Sequence, residues 1–135
     1  KMLNPQVKAF AAKLKKIFPI GYVDENHINN ALNRQGEFNI IDPESGLKVD
    51  FFVSKNDDFE KECFEKSILR DLGYTINFTS PENLIISKLL WFRESESTRQ
   101  LEDIASVMDI QKKIDLVYIK KWVGKLGLQN EWKKI

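Results

Sequence analysis

Between Phe38 and Val53 (FNIIDPESGLKVDFFV) two apolar runs flank Asp42-Pro43-Glu44-Ser45-Gly46, an unbroken cluster of turn formers. Proline presets φ for a turn position and glycine accepts positive φ, so the pattern predicts a β-hairpin. In its second strand Leu47, Val49, Phe51 and Val53 share the core-facing side, while Lys48, Asp50 and Phe52 share the other. Asp50 therefore stands mid-strand among β-branched and aromatic neighbours, where an unpaired carboxylate is unfavourable. A cation, a metal ion, a hydrogen-bond donor or open water must compensate it, and its side chain is expected to open into a cleft rather than the core, within reach of a cation such as Lys48 or Lys88. The plainer reading is a strand aspartate on the wet face of a half-exposed sheet.

Helical spacing surrounds the hairpin. Val7, Phe10, Ala11, Leu14, Ile17 and Phe18 predict a helix opened by Asn4-Pro5 and stopped at Pro19. Ile20–Val23 reads as a short strand. Asp24 is a good N-cap for a helix that buries Ile28, Ala31 and Leu32 and stops at Gly36. After a polar loop at 54–58, Phe59–Leu72 reads as a helix with Phe59, Cys63, Phe64 and Ile68 inward, and Tyr74–Thr79 as a fourth strand. Ser80-Pro81-Glu82 then supplies a cap, a first-turn proline and an acid at the positive end of a helix through Phe92 that is apolar nearly all round. Two further helices carry Leu101, Ile104, Ala105 and Met108, then Leu116, Ile119, Trp122, Val123 and Leu126, the second capped by Asp115 and closed at Gly127. Trp91 and Trp122 are both expected in the core.

The period changes near residue 80, from strands alternating with helices to helices alone. That predicts a single α+β domain over 1–135. Its sheet, in residues 1–79, holds both the hairpin and Tyr74–Thr79, and a helical section at 80–135 is packed on it.

Charge refines the picture more than composition does. The chain has 135 residues, 42% hydrophobic and 30% charged, a normal globular balance. No apolar run approaches the roughly 20 residues that span a bilayer, and no signal peptide is visible, so no membrane partner is expected. A lone Cys63 fits a reducing cytoplasm, and one cysteine with one histidine, His27, rules out a His/Cys zinc site within the chain. His27 reads as a surface histidine and Cys63 as a small core hydrophobe, since no histidine is placed to activate it. The net charge of +1 conceals two basic ends: five lysines and no acid in residues 1–23, and seven lysines against Asp115 and Glu131 in 111–135. Such ends suit a nucleic-acid backbone or an acidic partner, and equally the solvated faces of amphipathic helices.

A Gly-rich phosphate loop, a G-x-S-x-G elbow and an H-E-x-x-H pair are all absent. Metal-assisted phosphoryl transfer needs only clustered carboxylates and a few cations, and Asp50 is the best-placed carboxylate. Lys88, Arg93, Arg99 and Asp103 lie on two consecutive helices that could sit behind it.

Three blocks, FNIIDPESGLKVDFFV, SPENLIISKLLWFRESESTRQLEDIASVM and IDLVYIKKWVGKLG, carry a resemblance over about residues 37–127. In them the chain resembles the later part of a bacterial and archaeal family of nucleotidyltransferase-like proteins. That family is related to the AbiEii-type toxins of toxin–antitoxin systems and, more distantly, to the minimal nucleotidyltransferases. The resemblance implies a small mixed sheet with a helical tail, and transfer of a nucleotide from an NTP to an unknown acceptor with magnesium or manganese. It makes Asp50 a catalytic metal carboxylate and Lys88 a catalytic position, with Lys48, Arg99 and Asp103 binding substrate. The family's Gly-Ser motif and D-x-D pair have no counterpart here, and Lys1-Met2 does not read as a native start. The expectation is a chain that holds no metal and is inactive by itself, its front strand missing and its sheet edge open to a homodimer. The alternative is a non-catalytic module that binds a protein or nucleic-acid partner.

Overall fold

Helix α1 (Asn4–Ile17) turns Val7, Ala11 and Leu14 inward and leaves its lysines outside. The computed structural model describes residues 4–135, with side chains from Gln6 onward. Past α1 the expected strand at Ile20–Val23 does not form. The Gly21 N–H donates to the Phe18 carbonyl at 3.1 Å, and Gly21 lies so close to Phe18 that a Cβ would fall 2.9 Å from the Phe18 Cβ. Pro19 and this close approach make the segment a turn. Asp24 then caps α2 (Glu25–Arg34) by accepting from the Asn26 N–H at 2.8 Å. Helix α2 buries Ile28 and Ala31, and its left-handed closing residue is Gln35, one place before the expected glycine.

The hairpin forms as the alternation requires. Strand β1 (Glu37–Ile41) pairs antiparallel with β2 (Lys48–Phe52), with Phe38 opposite Phe51, Asn39 opposite Asp50 and Ile40 opposite Val49. Asp42 organises the turn: its carboxylate accepts from Ser45, its carbonyl from the Gly46 N–H, and Gly46 takes φ +69°. On the inner face Phe38 and Phe51 stack at 4.8 Å between centroids, and Phe10 of α1 meets both edge-on. Ile40 is fully buried beside Val7, Ala11, Leu14, Val23 and Ile28, and this first core draws only on residues before Asp57.

A second compact unit runs from Asp58 to Ile135. Here the helix expected over Phe59–Leu72 is shorter: α3 spans Asp58–Glu65, and Ser67 donates its hydroxyl to the Phe64 carbonyl at 2.7 Å to end it. Ile68–Asp71 becomes β3, paired antiparallel with β4 (Thr75–Phe78) across a turn in which Asp71 accepts from the Gly73 N–H and Gly73 takes φ +84°. Asp71-Leu72-Gly73-Tyr74 is turn chemistry, and it overrides the helical spacing read through it. Phe64, expected inward, is 70% exposed.

The α+β class is shown, with seven helices among the described residues. The strands, however, lie in two separate two-stranded antiparallel sheets, not in one mixed sheet holding both the hairpin and Tyr74–Thr79. Strand β4 finds its partner a few residues away, where closing the loop costs little entropy.

Ser80 caps α4 (Pro81–Ser95) through the Asn83 N–H at 3.2 Å. Ile85, Ile86 and Leu89 are completely buried, so α4 runs through the second core as expected. Trp91 does not join them. It is 39% exposed, because it falls about 200° round the helix from Leu89. Helix α5 (Thr98–Ile110) buries Ile104, with Leu101, Val107 and Met108 packed against the cluster, while Ala105 faces out. Asp115 caps α6 (Leu116–Leu126), accepting from the Tyr118 N–H at 2.9 Å. That helix buries Trp122, as expected, together with Tyr118, Ile119 and Val123. A short α7 (Gln129–Trp132) and the buried Leu128 before it were not legible as an element. No helix among the described residues is long and apolar enough to cross a membrane.

Candidate functional site

In the first unit Asp50 sits at the centre of β2 on the solvent side of the hairpin. The Lys48 Nζ lies 2.8 Å from its Oδ1, from two residues away on the same face. The hydrogen bond to Asp50, and then the charge of Asp50, push the Lys48 ammonium above its ordinary value. The compensation required of a mid-strand carboxylate is thus a cation, and the pair remains half-open to water. Asn39 stands directly opposite in the register.

These residues do not by themselves fit a divalent-ion centre. No group of three His, Cys, Asp or Glu side chains converges among the described residues, and an ammonium already holds the one carboxylate at Asp50. A cleft of about 480 Å³ lies nearby, lined by His27, Arg34, Glu37, Phe38 and Asn39 among others. Asn39 therefore belongs both to the cleft wall and to the position facing Asp50. His27 is exposed, as expected, and meets Tyr22 edge-on at 6.1 Å. Its place in a cleft wall was not legible, since the cleft arises where α2 passes β1.

The other candidates belong to the second unit, where three of them converge. Lys88 of α4, only 15% exposed at its side chain, places Nζ 2.6 Å from Asp103 Oδ2 on α5 and 3.4 Å from Gln100 Oε1. The hydrogen bond from Lys88, then the charges of Lys88 and Arg99, hold the Asp103 carboxyl below its usual range. Arg99 itself is exposed and acts on the cluster through its charge. The ammonium of Lys88 also lies 5.5 Å from the Trp91 ring, which gives the outward tryptophan a cation to cover. Gln100 is a member of this cluster that sequence reading missed. Arg93 does something different: its Nη1 donates to the Leu126 carbonyl at 2.9 Å and satisfies an orphan acceptor at the C-terminal end of α6.

Sequence reading also missed a buried polar contact. The Tyr118 hydroxyl donates to Asn83 Oδ1 at 2.7 Å inside the core, and burial, followed by the Glu62 charge, pushes the phenol up to about 12. Cys63 is half-buried against the same core, as a small hydrophobe would be.

Together these features define an α+β protein that has, among the described residues, a hydrophobic core cluster in each unit, an ion pair of Lys48 with Asp50 in the first and one of Lys88 with Asp103 in the second. Comparison with models of known protein families, with curated proteins and with solved structures finds no match.

Proposed function

We propose that this chain is the later part of a nucleotidyltransferase-like protein that, in its complete form, transfers a nucleotide from an NTP to an acceptor with magnesium or manganese. As these 135 residues alone it is inactive. The observation that supports this reading is the placement of Asp50. A carboxylate held mid-strand, outward and paired to a lysine keeps a fixed negative charge at a rigid position, which suits a metal ligand completed by other carboxylates. Lys48, paired with Asp50, would offer its ammonium to an NTP phosphate if a divalent cation were held at Asp50 by further carboxylates. Within the second unit, the ion pair of Lys88 with Asp103 braces α4 against α5 beside the exposed Arg99, whose guanidinium suits a phosphate. The lone Cys63 goes with a reducing cytoplasm, and the open sheet edges go with a homodimer.

The test is labelled-NTP incorporation with manganese by the complete protein. Asp50→Asn removes charge but little volume, so transfer is abolished while the denaturation midpoint stays nearly unchanged. Undiminished transfer would return Asp50 to the role of an ordinary strand aspartate facing water. A second reading, a non-catalytic module that binds a protein or nucleic-acid partner, is favoured by the neutralisation of Asp50 by Lys48. Under that reading the complete protein incorporates no nucleotide, and Asp50→Asn leaves partner binding intact.

A further inference from the structure

The outer face of α1 is chemically one-sided. Lys8, Lys13, Lys15 and Lys16 are all exposed, Ala9 and Ala12 lie between them, and the helix contains no acid. At about 100° per residue, Lys8, Ala12, Lys15 and Lys16 fall within an arc of roughly 100°, with Ala9 and Lys13 on its flank. Val7, Ala11 and Leu14, buried in the first core, share an arc of about 60° centred roughly 120° from this one.

A helix face that only needs solvation usually intersperses acids four residues from its lysines, because such pairs support the helix and like charges oppose it. The macrodipole accounts for Lys15 and Lys16 in the last turn, though not for Lys8 and Lys13 further in. Among the described residues, none of the four lysines is ion-paired to a carboxylate of its own unit. The alanines add a second feature. With only methyl groups between the lysines, a ligand can approach the helix backbone closely while the ammonium groups close round it.

From this we infer that the α1 face docks a nucleic acid through its phosphodiester backbone. Two other polyanionic surfaces fit it less well. A helix lying in a membrane interface buries bulky apolar residues, and here Val7 and Leu14 are already committed to the core, while the exposed Ile17, Ile20 and Tyr22 lie at and beyond the C-terminal end of α1, away from Lys8. Protein interfaces concentrate aromatic residues and arginine and are depleted in lysine and alanine, the reverse of this face. A chain of phosphates asks only for regularly placed point charges and close approach. The inference concerns binding alone and stands apart from the chemistry assigned to Asp50.

The experiment is fluorescence anisotropy on the whole chain, without NTP or metal. The probes are a labelled single-stranded RNA, the matching DNA and an RNA hairpin, with phosphatidylserine vesicles and polyglutamate as further arms. Binding is expected to weaken steeply with salt. Lys8→Gln/Lys15→Gln/Lys16→Gln should lose about tenfold or more in affinity and reduce the log–log salt slope by about 2, three contacts at about 0.7 each for a single strand. Ala12→Glu, which removes no lysine and keeps a good helix former, should weaken binding in the same direction, and it decides the matter where the triple variant fails to fold. Lys112→Gln/Lys113→Gln/Lys120→Gln lowers the net charge equally and should leave most of the affinity. The inference is overturned by α1 variants that bind like the parent, by an equal loss in the control set, or by α1-dependent binding to vesicles or polyglutamate without binding to RNA or DNA. Because no catalysis is measured, none of these outcomes bears on the transfer assay.

Discussion

Two ion pairs show how differently one residue chemistry can be used. Lys48 and Asp50 are neighbours on one strand face, both substantially exposed, and such a pair contributes little stability. Lys88 and Asp103 come from different helices, and the lysine is mostly buried, so the pair fixes how α4 meets α5. The pH dependence of this second pair follows from Asp103. Its folded-state pKa is depressed below the unfolded value of about 3.9, so its contribution is complete above the unfolded pKa and lost as pH falls through the folded one. The stability difference between the parent and Asp103→Asn should therefore hold from neutral pH to about pH 5 and shrink below about pH 4. Urea midpoints of both proteins across that range check it, and a gap that widens in acid would contradict it.

At the scale of elements, α4 and α6 contribute tryptophans of unequal weight. Trp122 is 3% exposed and meets Phe59 edge-on at 5.2 Å. Trp122→Ala should cost about 3–5 kcal/mol, the usual range for deleting a large buried aromatic. Trp91→Ala should cost clearly less, because its ring faces outward and mainly covers the Lys88 ammonium. Denaturant midpoints for the two variants order them, and equal losses would put Trp91 back in the core. The hairpin of β3 and β4 is the weakest element on physical grounds. It is a two-stranded sheet whose residues are mostly exposed, and isolated hairpins are marginal in water.

At the scale of the molecule, the described residues form two core clusters, each assembled from its own stretch of chain. Both sheets end after two strands, and Leu69, Leu72 and Tyr74 around the second are largely exposed. Unpaired strand edges beside apolar side chains are a template for further pairing. Self-association is accordingly expected, with a dimeric mass by light scattering at tens of micromolar. A monomeric mass across that range would remove the homodimer from the proposal.

Where structure depends on neighbours in sequence, the sequence alone decided it. The two-residue period of a strand puts alternate residues on opposite faces, so the hairpin, the inward Phe51 and the outward Asp50 followed from alternation, whereas Leu47, expected on the core side, is 57% exposed next to the turn. Asp24, Ser80 and Asp115 cap helices through bonds that span two or three residues, and these too were legible. Tertiary packing decided the rest. A helix that is apolar nearly all round does not say which arc faces the core, and packing of its other arc into the core turned Trp91 outward. Pairing between β3 and β4 supplied backbone hydrogen bonds that a longer α3 would have supplied otherwise, so the helix ended early. Lys88 and Asp103 were singled out by resemblance, but their contact spans 15 residues and exists only because α4 and α5 pack together. Burial of Tyr118 against Asn83, 35 residues apart, has the same origin: the stripe of α6 is broad enough to take a polar tip, provided a partner waits inside.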